Sequence, residues 1–93
     1  METLEALHSR NSVTSLSEPV PTPEEMKMVF QAALRAPDHA WLRPWKFIQV
    51  TGEGRTKLGD AFLRTATAVI GDLSEALVEK AKNAPLRAPM VLV

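Results

Sequence analysis

Two groups of residues in this chain are equipped for chemistry: Arg10, Asn11 and Ser12, and the stretch Arg35 to Phe47 that carries Arg35, Asp38, His39, Trp41, Arg43 and Trp45. Arginine offers a planar fork of N–H donors suited to phosphate. A neighbouring serine hydroxyl and loop amides add further donors. Arg10-Asn11-Ser12 can therefore grip a phosphate from one short segment, although a solvated Arg-x-Ser turn accounts for the same residues. Arg35 falls at the end of a helical pattern, where the helix dipole alone favours a cation. His39 can donate to a ligand, act as a general acid, or close a turn paired with Asp38. Trp41 and Trp45 can stack on a planar ring or cover a core. Trp45, next to a strand, suits the core, and Trp41 suits an interface or a ligand. Arg43 can stack between them or reach across a dimer interface.

The elements that must position these groups follow from spacing. Leu4 and Leu7 lie one turn apart in a short first helix ending near Ser9, and Asn11 to Pro21 is rich in Ser, Thr and Pro, as an extended loop is. Val13, Leu16 and Val20 are its anchors to a core. Thr22, Pro23 and Glu25 form a helix start with a capping box. Met26, Val29, Phe30, Ala33 and Leu34 then make a single apolar stripe, and Pro37 stops the helix at Ala36. Lys46 to Thr51 alternates as a strand, and Gly52-Glu53-Gly54 turns the chain. A third helix is expected from about Arg55 to Ile70, with Leu58, Ala61, Phe62, Thr65 and Val69 inward. Ser74 caps a fourth through Ala81 or Lys82, with Leu77, Val78 and Ala81 inward. Ala88 to Val93 reads as a last strand, buried on both faces.

The order α-α-β-α-α-β predicts an α+β or α/β packing of helices on a sheet. Two strands make a marginal sheet, so further strands are expected from additional sequence or a second subunit. The apolar run to Val93 lacks the polar turn that normally follows such a strand. We therefore expect residues 1–93 to be one domain that is the N-terminal part of a longer one, or is completed by another chain.

Composition excludes several classes. The chain has 93 residues, 11 basic and 11 acidic, two histidines and no cysteine. A domain of this size buries roughly two thirds of its surface, which leaves it marginally self-sufficient. Thiolate metal sites and disulfides are excluded, and zero net charge favours neither nucleic acid nor an anionic membrane. The acidic start and short apolar runs predict a cytoplasmic protein without a signal peptide or membrane span. Gly52, Gly54, Gly59 and Gly71 form neither a dinucleotide fingerprint nor a P-loop, and there is no nucleophile elbow.

The chain resembles, along essentially its whole length, the N-terminal half of the FMN-dependent NAD(P)H nitroreductases, in particular their small single-domain subclass. The resemblance rests on Arg10-Asn11-Ser12 after a short helix, the capped helix from Thr22, Arg35-Ala36-Pro37-Asp38-His39, Pro44-Trp45-Lys46-Phe47 before a strand, and Arg87 to Val93. Asn11 stands where many relatives carry a second arginine, and Trp41-Leu42-Arg43 where many carry Asn-x-Gln. The resemblance implies a nitroreductase-like α+β fold, a homodimer with FMN at the subunit interface, and NAD(P)H as reductant. It implies that Arg10, Asn11 and Ser12 bind the flavin phosphate and that Arg35 and His39 reach FMN across the interface. Its acceptors would be nitroaromatics, quinones or similar small molecules, with no catalytic side chain. A non-catalytic fragment or dimerisation module that no longer retains flavin is the alternative, and a basic-aromatic nucleic-acid module is the poorest reading.

Overall fold

The computed structural model describes residues 1–93. Four helices, α1 (Thr3–Ser9), α2 (Pro23–Ala33), α3 (Glu53–Ile70) and α4 (Glu75–Asn83), accompany two short strands, β1 (Gln49–Thr51) and β2 (Met90–Leu92). Single 3₁₀ turns lie at His39–Trp41 and Ala84–Arg87. The class is α+β, as expected.

α2 begins as its sequence dictates. The Glu25 N–H donates to Thr22 Oγ1 at 3.2 Å, and the Thr22 N–H donates to Glu25 Oε1 at 3.0 Å, with Pro23 in the first turn. This reciprocal cap satisfies two donors that a helix start otherwise leaves free. The Thr22 backbone N–H, and then its side chain, hold the Glu25 carboxyl below its ordinary 4.5. A carboxylate with a depressed folded-state pKa stabilises above its unfolded value, and that contribution disappears as pH falls through the folded value. Fraying of α2, followed by amide exchange, is therefore expected to increase on acidification below about 4.5 and to become pH-independent in Glu25→Gln. An unchanged pH dependence in that variant would place the titrating group elsewhere.

The helix ends at Ala33, three residues before the expected Ala36. The Arg35 and Ala36 amides instead bond to Ala32 and Ala33, both at 3.1 Å, a tightened last turn. Pro37 restricts Ala36 to extended backbone, so the α geometry unwinds before reaching it.

β1 and β2 pair antiparallel, with Gln49 opposite Leu92, Val50 opposite Val91 and Thr51 opposite Met90. Ile48 and Val93 add one more pair through two bonds of 2.8 and 2.9 Å. The strand expected from Lys46 is thus laddered only from Ile48. The second strand is not buried on both faces: Met90 and Val91 are half-buried, while Leu92 and Val93 are exposed. A two-stranded sheet has too little on either side to enclose them.

α3 and α4 pack closely against each other. A Cβ built on Gly59 would overlap the Lys82 carbonyl oxygen and lie 3.1 Å from its carbon. Only glycine permits that approach. It also turns α3 relative to expectation, because the half-buried side chains are Leu58, Ala61, Leu63 and Ala66, while Phe62, Thr65 and Val69 face outward. On α4, Ser74 Oγ accepts the Leu77 N–H at 3.3 Å, and Val78 and Ala81 are half-buried, but Leu77 is exposed.

Only Met26, Gly59 and Pro85 are buried. The accessible surface is 7825 Å², against roughly 5,300 Å² for a closed monomer of this mass. The radius of gyration is 16.5 Å, against about 12 Å for a compact domain of this length. α1 has no buried residue, and the extended segment after it is pinned where the Leu16 N–H meets the Arg87 carbonyl at 2.7 Å.

Candidate functional site

Arg10 caps the end of α1, its N–H bonding to the Ala6 carbonyl at 3.1 Å. Its guanidinium Nη2 donates to Ser12 Oγ at 3.4 Å. Arg10, Asn11 and Ser12 are all exposed, so the structure brings the arginine fork and the hydroxyl together at the surface. Two donor groups converging on one exposed spot suit an anion.

The loop from Arg35 to Trp45 is more tightly built. Asp38 is the hub: its carboxylate accepts the Arg43 backbone N–H and, at 3.1 Å, Arg43 Nη1. The same nitrogen also approaches the Leu34 carbonyl at 3.4 Å, tying the loop to the end of α2. The turn reading, in which His39 pairs with Asp38, is not realised, because Asp38 pairs with Arg43. The reason lies in the backbone. Ala40, Trp41 and Arg43 have φ of 53°, 58° and 50°, the left-handed region, and this fold-back returns Arg43 to the carboxylate. Non-glycine residues in that region cost on the order of 1–3 kcal/mol each and persist where surrounding contacts over-determine them. His39 opens the 3₁₀ turn, its carbonyl accepting the Leu42 N–H at 3.1 Å, and it is exposed.

The tryptophans divide as the sequence implied. Trp45 is half-buried, with its Nε1–H enclosed and bonded to no protein acceptor. Trp41 is 74% exposed, and the Arg43 guanidinium carbon sits 3.9 Å from its ring centroid. Arg43 thus stacks on Trp41, a cation–π contact. Phe47, past the loop, meets Phe30 of α2 with ring centroids 5.0 Å apart.

Arg35, Ala36, Pro37, Asp38, Trp41 and Arg43 line a shallow hollow of about 210 Å³. With Asp38 occupied by Arg43, Arg35 is the uncompensated charge there. No hydrogen bond joins this loop to Arg10 or Ser12, and neither lines the hollow. Within one chain the two groups of donors remain separate. A larger gap of about 570 Å³ lies between α2 and the sheet, lined mostly by side chains such as Met26, Phe30 and Met90 that carry no titratable group. No cluster of three or more His, Asp or Glu is placed to hold a metal, and no helix is long and apolar enough to cross a membrane.

Sequence reasoning missed two residues. The sequence offers Asp38 only as a turn partner of His39, one of three readings, although an Asp directly after Pro is a common turn-former that bonds backbone further along. Gly59 was considered only as a phosphate-loop glycine. A lone glycine inside a helical pattern is itself the signal for close packing.

Comparison with known proteins gives the class to which this α+β chain belongs. The chain belongs to the nitroreductase family, whose profile matches residues 7–93. It is 39% identical over 92 residues to the Escherichia coli K12 protein named "Putative NAD(P)H nitroreductase YdjA", and 41% identical over 92 residues to a Haemophilus influenzae protein named "Putative NAD(P)H nitroreductase". Each alignment covers 99% of this chain and 49% of the relative. The chain thus spans about half the length of the curated relatives it matches.

Proposed function

We propose that this chain supplies the phosphate-binding part, and the interface loop, of an FMN-dependent NAD(P)H oxidoreductase that works in the cytoplasm as a homodimer. The observation that carries this reading is the convergence of Arg10 and Ser12 directly after α1, in a chain of the nitroreductase family. The donor set fits the cofactor: an exposed guanidinium and hydroxyl suit a phosphate monoester, and Arg35 carries an uncompensated charge. When bound, FMN would supply hydride transfer from NAD(P)H to a nitroaromatic, quinone or similar acceptor.

The chain's own residues then have binding and electrostatic tasks. Arg10 and Ser12 hold the phosphate dianion, with Asn11 between them adding its amide. Arg35 and His39 of the partner subunit place a fixed cation and an N–H donor where negative charge develops. Fixed donors of this kind need no reorganisation during the reaction. The cofactor would carry the hydride, so no side chain need act as a nucleophile.

A second reading, a dimerisation module without flavin, draws on the openness of the core and on the separation of the two donor groups within one chain. Titration of the chain with FMN, followed by flavin fluorescence, separates the two. Saturable quenching is the expected result. A folded chain that leaves FMN fluorescence unchanged supports the second reading instead.

A further inference from the structure

The loop between α2 and β1 is ordered at considerable effort, and the product of that order is displayed outward. The Asp38 side chain is only 5% exposed, yet it spends its carboxylate on a single residue, Arg43, through both backbone and guanidinium. Arg43 in turn covers one face of Trp41 and reaches the Leu34 carbonyl at the end of α2. Three of the four residues from Ala40 to Arg43 are left-handed without being glycine. A plain connector relaxes out of such backbone, so the contacts around Asp38 must be what maintains it. Nothing apolar is gained for the core, because Trp41, Leu42 and His39 all remain exposed while Trp45 alone turns inward. Arg35 shares the resulting hollow with the Trp41 ring.

We propose that Asp38 is a positioning residue for the flavin site: its carboxylate, held on Arg43, pre-forms the loop that presents His39 and the Trp41 ring to a flat, anionic ligand. This rests on the flavin reading above and adds to it a residue that does not itself touch the ligand. Pre-forming the loop removes the ordering cost from the binding step, so loss of the clamp weakens binding without removing a contact.

The test compares the unaltered chain with Asp38→Asn and Arg43→Met. It uses FMN titration by flavin fluorescence and amide exchange along the chain. Both variants are expected to bind FMN at least about tenfold more weakly, from the loss of pre-organisation. Their Leu42 and Arg43 amides should exchange faster, while those of α3 and α4 stay protected. Equal affinity in the unaltered chain and both variants overturns the proposal. So does weaker binding accompanied by opening of α3 and α4 in both variants, since that is a general stability role. Should Asp38→Asn alone unfold, Arg43→Met decides between these outcomes, because it leaves the carboxylate in place and keeps most of the side-chain length. An unaltered chain that binds no FMN overturns the flavin reading itself, a result distinguishable because it does not depend on either variant.

Discussion

Gly59→Ala is expected to destabilise the chain by about 2 kcal/mol or more, roughly 8–16 °C in melting temperature for a domain of this size. The direction runs against helix propensity, since alanine normally improves a helix interior by up to about 1 kcal/mol over glycine. Sterics decide here. The new Cβ would overlap a backbone carbonyl of α4, and backbone cannot swing aside as a side-chain tip can. Gly54 is the internal control. It lies in the same helix, and its added Cβ would meet only the Val50 Cγ1 methyl at 3.2 Å. Gly54→Ala is expected to stay within about 1 kcal/mol of the parent. Thermal unfolding followed by circular dichroism measures both. A Gly59→Ala chain as stable as its parent would show that α3 and α4 are not locked at this crossing.

Arg10→Ala is expected to weaken FMN binding by about 1.5–3 kcal/mol, between roughly tenfold and a hundredfold, the range for a hydrogen bond to a charged group. Stability should change by less than about 0.5 kcal/mol, because Arg10 is exposed and bonds only to Ser12 and its own helix. That combination, a large affinity change with little stability change, separates a ligand contact from a structural one. Arg10→Lys keeps the charge and loses the planar fork, so it is expected to fall between the two. Unchanged affinity in Arg10→Ala would remove Arg10 from the phosphate site.

Local chemistry was readable in the sequence, and anything that depended on a distant neighbour was not. Thr22, Pro23 and Glu25 specify the start of α2 because every partner lies within one turn. Ser74 does the same for α4. The convergence of Arg10 and Ser12 is also local. By contrast, the inward face of α3 depends on where α4 lies, and the Gly59 approach turned that face away from Phe62 and Val69. The partner of Asp38 was hidden for a different reason. Left-handed backbone at Ala40, Trp41 and Arg43 carries no glycine to announce it. Arg35 and His39 were assigned to a cofactor on another subunit, an arrangement that no spacing within one chain encodes.

The antiparallel pairing of Gln49 with Leu92 has a consequence for how the chain folds. In a disordered chain that pairing closes a loop of about forty residues, an entropic cost of roughly 3 kcal/mol. Most of that loop is α3 and α4, which are neighbours in sequence and dock through Gly59 and Lys82. A single residue, Gly52, separates β1 from α3, and β2 follows α4 after a single 3₁₀ turn and two further residues. The strands are then held close before any ladder bond forms, and the helix pair acts as a clasp that turns a long-range closure into a short one. Loop-closure entropy therefore favours docking of the helical hairpin ahead of the sheet. Its only two strands meet because a glycine lets two helices touch.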